Sequence, residues 1–169
     1  MPEKRTIKRA RRDKAEGKSP STQAGEFVRE EMEHIREGKH GARSTKQAIA
    51  IGLSKARSAG VDLPPPEKGK TSEKTRKSAE SAYARGHGGG RKRPASAKRK
   101  RAVRVALKRE GRSAASRSAL SAQARSAARK RSPSARSAAA RKAARTKRSA
   151  RRSAAARKAA RTRASAHAS

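Results

Sequence analysis

The chain has 169 residues and a formal net charge of +36, from 49 Lys and Arg against 13 Asp and Glu. It has no cysteine, which excludes disulfides and thiolate metal sites. Its two aromatics, Phe27 and Tyr83, are too few for the base-stacking platforms of RRM and OB folds.

Residues 1–18 form a basic arm of helical character. No apolar run follows it as in a signal peptide, and the longest aliphatic stretch, near Ile49–Leu53, is far short of a membrane span. The expectation is a cytoplasmic protein with no membrane partner. Gly17-Lys18-Ser19 has the ending of a phosphate-binding loop, but Arg12 stands where its first glycine is required.

Residues 19–66 hold the pattern of a packed unit. Ser19 and Pro20 suit an N-cap and first helical position. Ala24, Phe27, Val28, Met32 and Ile35 then mark one helix face, with Gly38 as its stop. Ser44 with Gln47 has the form of a capping box. Ala48, Ile49, Leu53 and Ala56 mark the buried side of a second helix, ended by Gly60. Val61, Leu63 and Pro64–Pro66 read as an extended strap. The segment is thus a helical hairpin closed by a Pro-rich strap, with Phe27 and Leu53 as anchors. So small a core is marginal alone, so a homo-oligomer or protein partner through 19–66 is expected.

Lys39, Arg43 and Lys46 cluster near the start of the second helix, where backbone N–H groups attract a phosphate. Glu30 with His34, or Glu37 with His40, offers only two metal ligands without an HExxH pattern, so no metal site is assigned. Glu30, Glu31, Glu33 and Glu37 read as a solvated face or an internal partner for the basic tail. No nucleophile stands with a base, so neither an enzyme nor a cofactor is expected.

Residues 67–90 read as a polar helix over 71–85 followed by a Gly-rich linker. Residues 91–169 form a low-complexity basic tail. Val103, Val105 and Leu107 mark one short helix up to Gly111. Segment 137–146 recurs identically at 153–162. On a straight helix the offset between the copies turns by about 160°, so the bases surround the axis and no apolar stripe forms. Coiled-coil and membrane-surface helices are disfavoured. Ala favours helix while like charges such as Arg141 and Arg145 oppose it, so the free tail is expected to be disordered or conditionally helical. The fold class is mainly α: a small hairpin in the N-terminal half, with the rest largely disordered or conditionally helical.

The charge partition points to the partner. Residues 1–80 carry 20 bases and 12 acids, a net of +8; from Ser81 on, 29 bases face the single acid Glu110, a net of +28. Such a segment needs a polyanion, and DNA is the expected partner. The candidate contacts are Arg91, Lys92, Arg93, Lys98, Arg99, Lys100, Arg101, Arg129, Lys130, Arg131, Arg141, Lys142, Arg145, Arg148, Arg151, Arg152, Arg157, Lys158 and Arg161. Low-complexity Arg and Lys touch phosphates rather than read bases. Gly90–Pro94 resembles the AT-hook, with Lys92 in place of the central glycine. Arg91–Arg93 with Lys98–Arg101 resembles a bipartite nuclear-import signal.

The segments STQAGEFVREEM, GKHGARSTKQAIAIGLSKAR and PPP within 19–66 resemble a family of small uncharacterised bacterial proteins. The tail is similar to linker-histone and bacterial histone-like tails. The first resemblance implies a bacterial origin and brings no established activity; the second, one of composition, goes with the expectation of histone-like DNA binding in the nucleoid. A structural RNA-binding or ribosome-associated protein is the alternative reading, and an interaction adaptor anchored by its tail is a third.

Overall fold

The structure, a computed structural model, describes residues 2–88 and 96–145. Helices dominate the described residues, and no strand occurs among them. They are α1 (Lys4–Ala15), α2 (Pro20–Arg36), α3 (Thr45–Ser58), α4 (Glu73–Gly86), α5 (Ala97–Arg109), a 3₁₀ turn (Ser113–Ala115) and α6 (Arg117–Arg129). A further helix, α7, covers residues 133–145. The chain divides into two compact units after Gln123.

The first unit is built around the α2–α3 pair. Ser19 and Pro20 open α2, and Gly38 takes φ of 76° just beyond its end. There the Lys39 N–H returns to the His34 carbonyl at 3.0 Å, closing the helix as an αL residue permits. Ser44 accepts from the Gln47 N–H at 3.2 Å, and Gln47 accepts from the Arg43 N–H at 2.9 Å. The capping box therefore forms, with its return bond one residue early. At Gly52 a Cβ would stand 2.7 Å from the Val28 Cα. Gly52 thus lets the two backbones approach.

Two apolar clusters fill this unit. One joins Ala10, Ala24, Phe27, Ala56 and Val61, with Ile7, Leu53 and Leu63 at its edge. Phe27 is 1% exposed, so the expected anchor is in place. The strap is held by Arg57, whose guanidinium donates to the Leu63 and Pro64 carbonyls at 3.0 and 3.3 Å. The basic arm is a packed helix, with Thr6, Ala10 and Asp13 buried. Helix α4 lies on α3 through Ala79 and Ala82, and Tyr83 donates to Asp62 at 2.6 Å.

The second cluster corrects the reading of a lone hairpin followed by a disordered remainder. It joins Met32, Ile35, Ala42 and Ala48 to Ala114 and Ala115, with Leu120 packed against it. Ala115 is fully buried. Thr45 donates to the Ala114 carbonyl at 2.7 Å and Arg36 to the Ala115 carbonyl at 3.0 Å. The expected tail thus contributes core residues. Two adjacent alanines fit a gap beside Met32 and Ile35, where composition marks them only as helix formers.

Candidate nucleic-acid interface

The basic helix α5 is tethered through a backbone clasp. The Gly41 N–H donates to the Leu107 carbonyl at 2.8 Å, and the Ala42 N–H donates to Gly111 at 3.2 Å. A Cβ at Gly41 would meet the Glu110 carbonyl oxygen at 1.9 Å, so only glycine allows this approach. Helix α5 buries none of its residues. Lys98, Arg99, Lys100, Arg101, Arg104, Lys108 and Arg109 are all exposed on it. Its short apolar set stays open too, with Val103 53% and Val105 42% exposed.

Helices α6 and α7 start alike. Ser116 Oγ accepts from the Ala119 N–H at 3.2 Å, and Ser132 Oγ accepts from the Ala135 N–H at 3.2 Å. The spacing of Ser116 and Ser132 is the period of the sequence repeat. Residues 116–131 and 132–147 agree at ten positions, among them Arg125/Arg141 and Arg129/Arg145. The repeat therefore begins at Ser116, well ahead of Ser137, with a serine cap before both α6 and α7. Substitutions such as Leu120 for Arg136 mask that earlier copy in a search for identity.

The acids of the segment 1–80 are engaged locally. Glu3 pairs with Arg5, His34 and Lys39; Asp13 and Glu16 pair with Lys18; Glu26 faces Arg9. Glu30 and Glu31 share Lys55, and Glu31 also meets His40. Glu33 pairs with Arg29, Glu37 with Lys39, Glu67 with Lys70, and Glu73 and Glu80 with Arg76. Asp62 accepts from Tyr83. Of the acidic face expected to be solvated, or to receive the tail, Glu37 is exposed and Glu33 partly so, but Glu30 and Glu31 are not. Glu30 and Glu31 are 2% and 1% exposed, because they share the buried face of α2 with Phe27 and Ile35. Contact with His34 holds the Glu3 carboxyl down to about 2, helped by Arg5 and Lys39.

The structure places the expected contacts in several surroundings. Lys98–Arg101 lie in the first turns of α5, Arg129–Arg131 at the end of α6, and Arg141, Lys142 and Arg145 on α7. All are exposed. Arg91, Lys92, Arg93, Arg148, Arg151, Arg152, Arg157, Lys158 and Arg161 lie outside the described residues, as does the AT-hook-like segment. Lys39 is held by Glu37 at 2.8 Å and Glu3 at 3.5 Å, and its pKa is raised, first by Glu37. Arg43 and Lys46 are exposed and have no acid partner among the described residues. Sequence reasoning passed over Arg104, Lys108 and Arg109, which extend the α5 surface; the Lys/Arg run through 98–109 is the signal for them. A groove of about 510 Å³ is lined by Glu31, His40, Ile51 and Lys55 on one side and Arg99, Val103 and Leu107 on the other.

These features define a class: an all-helical unit whose N-terminal acids are held by nearby groups and which presents exposed basic helices. A family model described as a family of unknown function (DUF6496) matches residues 11–68, which covers the end of α1, α2, α3 and the strap but not α5, α6 or α7. No curated protein and no solved structure matches the chain. No described helix is long and apolar enough to cross a membrane.

Proposed function

We propose that the protein binds duplex DNA non-specifically through its C-terminal basic helices and compacts it in a bacterial nucleoid. One observation carries this reading. The twelve acids between Met1 and Glu80 each have a partner within residues 1–83, and among the described residues none pairs with Lys98–Arg101, Arg129–Arg131 or Arg141. Nucleic-acid phosphates supply that neutralisation at a density matched by few other cellular polymers. Duplex DNA presents about one negative charge per 1.7 Å of axis. A 13-residue helix spans about 20 Å and so lies along about a dozen phosphate charges. The packed unit gives these helices a folded base to which the chain joins them.

Binding of the full chain to a labelled duplex, titrated against structured RNA and followed across salt, tests the proposal. The expected result is duplex affinity equal to or above RNA affinity, with little dependence on base sequence. Selective retention by the RNA would replace this reading with that of a structural RNA-binding protein. Insensitivity to salt would remove both.

A further inference from the structure

We propose that Glu31, His34 and His40 form a site for one divalent transition-metal ion of the zinc class, clamping the last turns of α2 to the loop before α3. One ligand atom from each residue lies within 4.8 Å of the others. Ligands about 2.1 Å from zinc stand about 3.4 Å apart at tetrahedral angles, so only a small contraction is needed. The site is not an exposed acidic cluster. The side chains of Glu31, His34 and His40 are 1%, 12% and 17% exposed.

Hydrogen bonding leaves a gap that a cation fills. His40 Nδ1 lies 3.1 Å from the Gly41 carbonyl, which can only accept, so Nδ1 carries the hydrogen. His40 Nε2 then faces Glu31 Oε1 at 2.9 Å. Two lone pairs so close require a proton or a metal ion between them. Charge balance asks for the same addition. Glu30 and Glu31 are buried carboxylates sharing one ammonium, Lys55, at 3.6 and 2.5 Å. A proton on Nε2 would need only the His40–Glu31 pair. The third donor distinguishes the metal: His34 stands edge-to-face with His40, ring centres 6.1 Å apart. Two imidazoles and a carboxylate suit zinc and its neighbours. The backbone bond to His40 supplies the outer-sphere orientation such ligands use, and Glu3 places a further carboxylate 2.8 Å from His34. Lys55 occupies Glu31 Oε2 and leaves Oε1 for the ion. Its positive charge sets the expected affinity at micromolar rather than nanomolar. The groove lined by Glu31, Lys39, His40 and Lys55 gives the ion a path from solvent.

Zinc chloride titrated calorimetrically into chelator-treated full-length protein tests the site. The expected result is one equivalent bound with a dissociation constant of about 10 µM or tighter. The constant should rise at least tenfold in His40→Gln and His34→Gln and stay unchanged in His87→Gln. Imidazole NMR of the unsubstituted chain gives a readout that does not depend on variant folding: the His34 and His40 signals should shift on zinc addition while those of His87 stay. No uptake by the wild-type chain, uptake unaffected by either substitution, or zinc shifts confined to His87 would each overturn the proposal.

Discussion

Phe27 shows how much one side chain carries in a core this small. It is the sole Phe of the chain, 1% exposed, and packs with Ala10, Ala24, Ala56 and Val61. Phe27→Ala should cost about 3–5 kcal/mol. The measurement is the urea midpoint of the full chain followed by far-UV circular dichroism; an unchanged midpoint would remove Phe27 from the core. Glu3 gives a prediction in pH. Its carboxyl titrates at about 2 when folded, against 4.5 as the ordinary value, first because of its bond to His34. A depressed carboxylate adds stability that is fully present above its unfolded pKa. That contribution fades as pH falls from about 4.5 through about 2. Carboxyl NMR should locate the Glu3 midpoint near the lower value, and His34→Gln should move it upward. A wild-type midpoint at the ordinary value would show that the Glu3–His34 contact does not persist in solution. Glu30 and Glu31 were partly legible as well. Glu31 lies four residues from both Phe27 and Ile35, a core position on the helix, yet its charge argues for the surface. The compensating groups, Lys55 and His40, lie on other elements and are invisible to local spacing.

At the scale of elements, the start and stop chemistry of α2 and α3 was readable because it is local. Ser19-Pro20, Gly38, Ser44 with Gln47, and Gly60 all act within a few residues of themselves. The docking of 107–115 was not readable. It depends on main-chain groups of Gly41 and Ala42 meeting Leu107 and Gly111, and on a gap sized for two alanines. Nothing in an Ala-rich stretch distinguishes a buried alanine from one in a solvated helix. Gly41→Val tests the clasp. The new Cβ would overlap the Glu110 carbonyl oxygen, so segment 107–116 should lose hydrogen-exchange protection while α2 and α3 keep theirs. Duplex affinity should change only a few-fold, because every base is retained. Protection equal to wild type would mean that the clasp does not hold the segment.

For the whole molecule, charge partition decides behaviour. If 8–12 phosphates are contacted, the log–log slope of affinity against salt should be about −7 to −11. Fluorescence anisotropy with a labelled duplex from low to moderate salt measures it, and a slope shallower than about −3 would sink the basic-helix reading. Deleting 132–147 removes five bases, Arg136, Arg141, Lys142, Arg145 and Lys147. The slope should fall in magnitude by about 4 to 5 if all five meet phosphates. The melting transition of the N-terminal unit should stay in place. A slope unmoved by this deletion would place binding elsewhere, with α5 as the next surface to test.

The serine that opens each described repeat has a consequence for inheritance. A module that brings its own start signal does not depend on its neighbour to form a helix. Duplication or loss of the coding sequence for one such module would therefore add or remove a whole helix with its cap, without shifting the register of the next. The core formed with Ala114 and Ala115 takes Leu120 from the first such unit but nothing from the second, so gain or loss of units from Ser132 on leaves its packing intact. Length in this region is thus a heritable dial for basic charge, turned in steps of about five, and under the proposed function it would set DNA affinity as well.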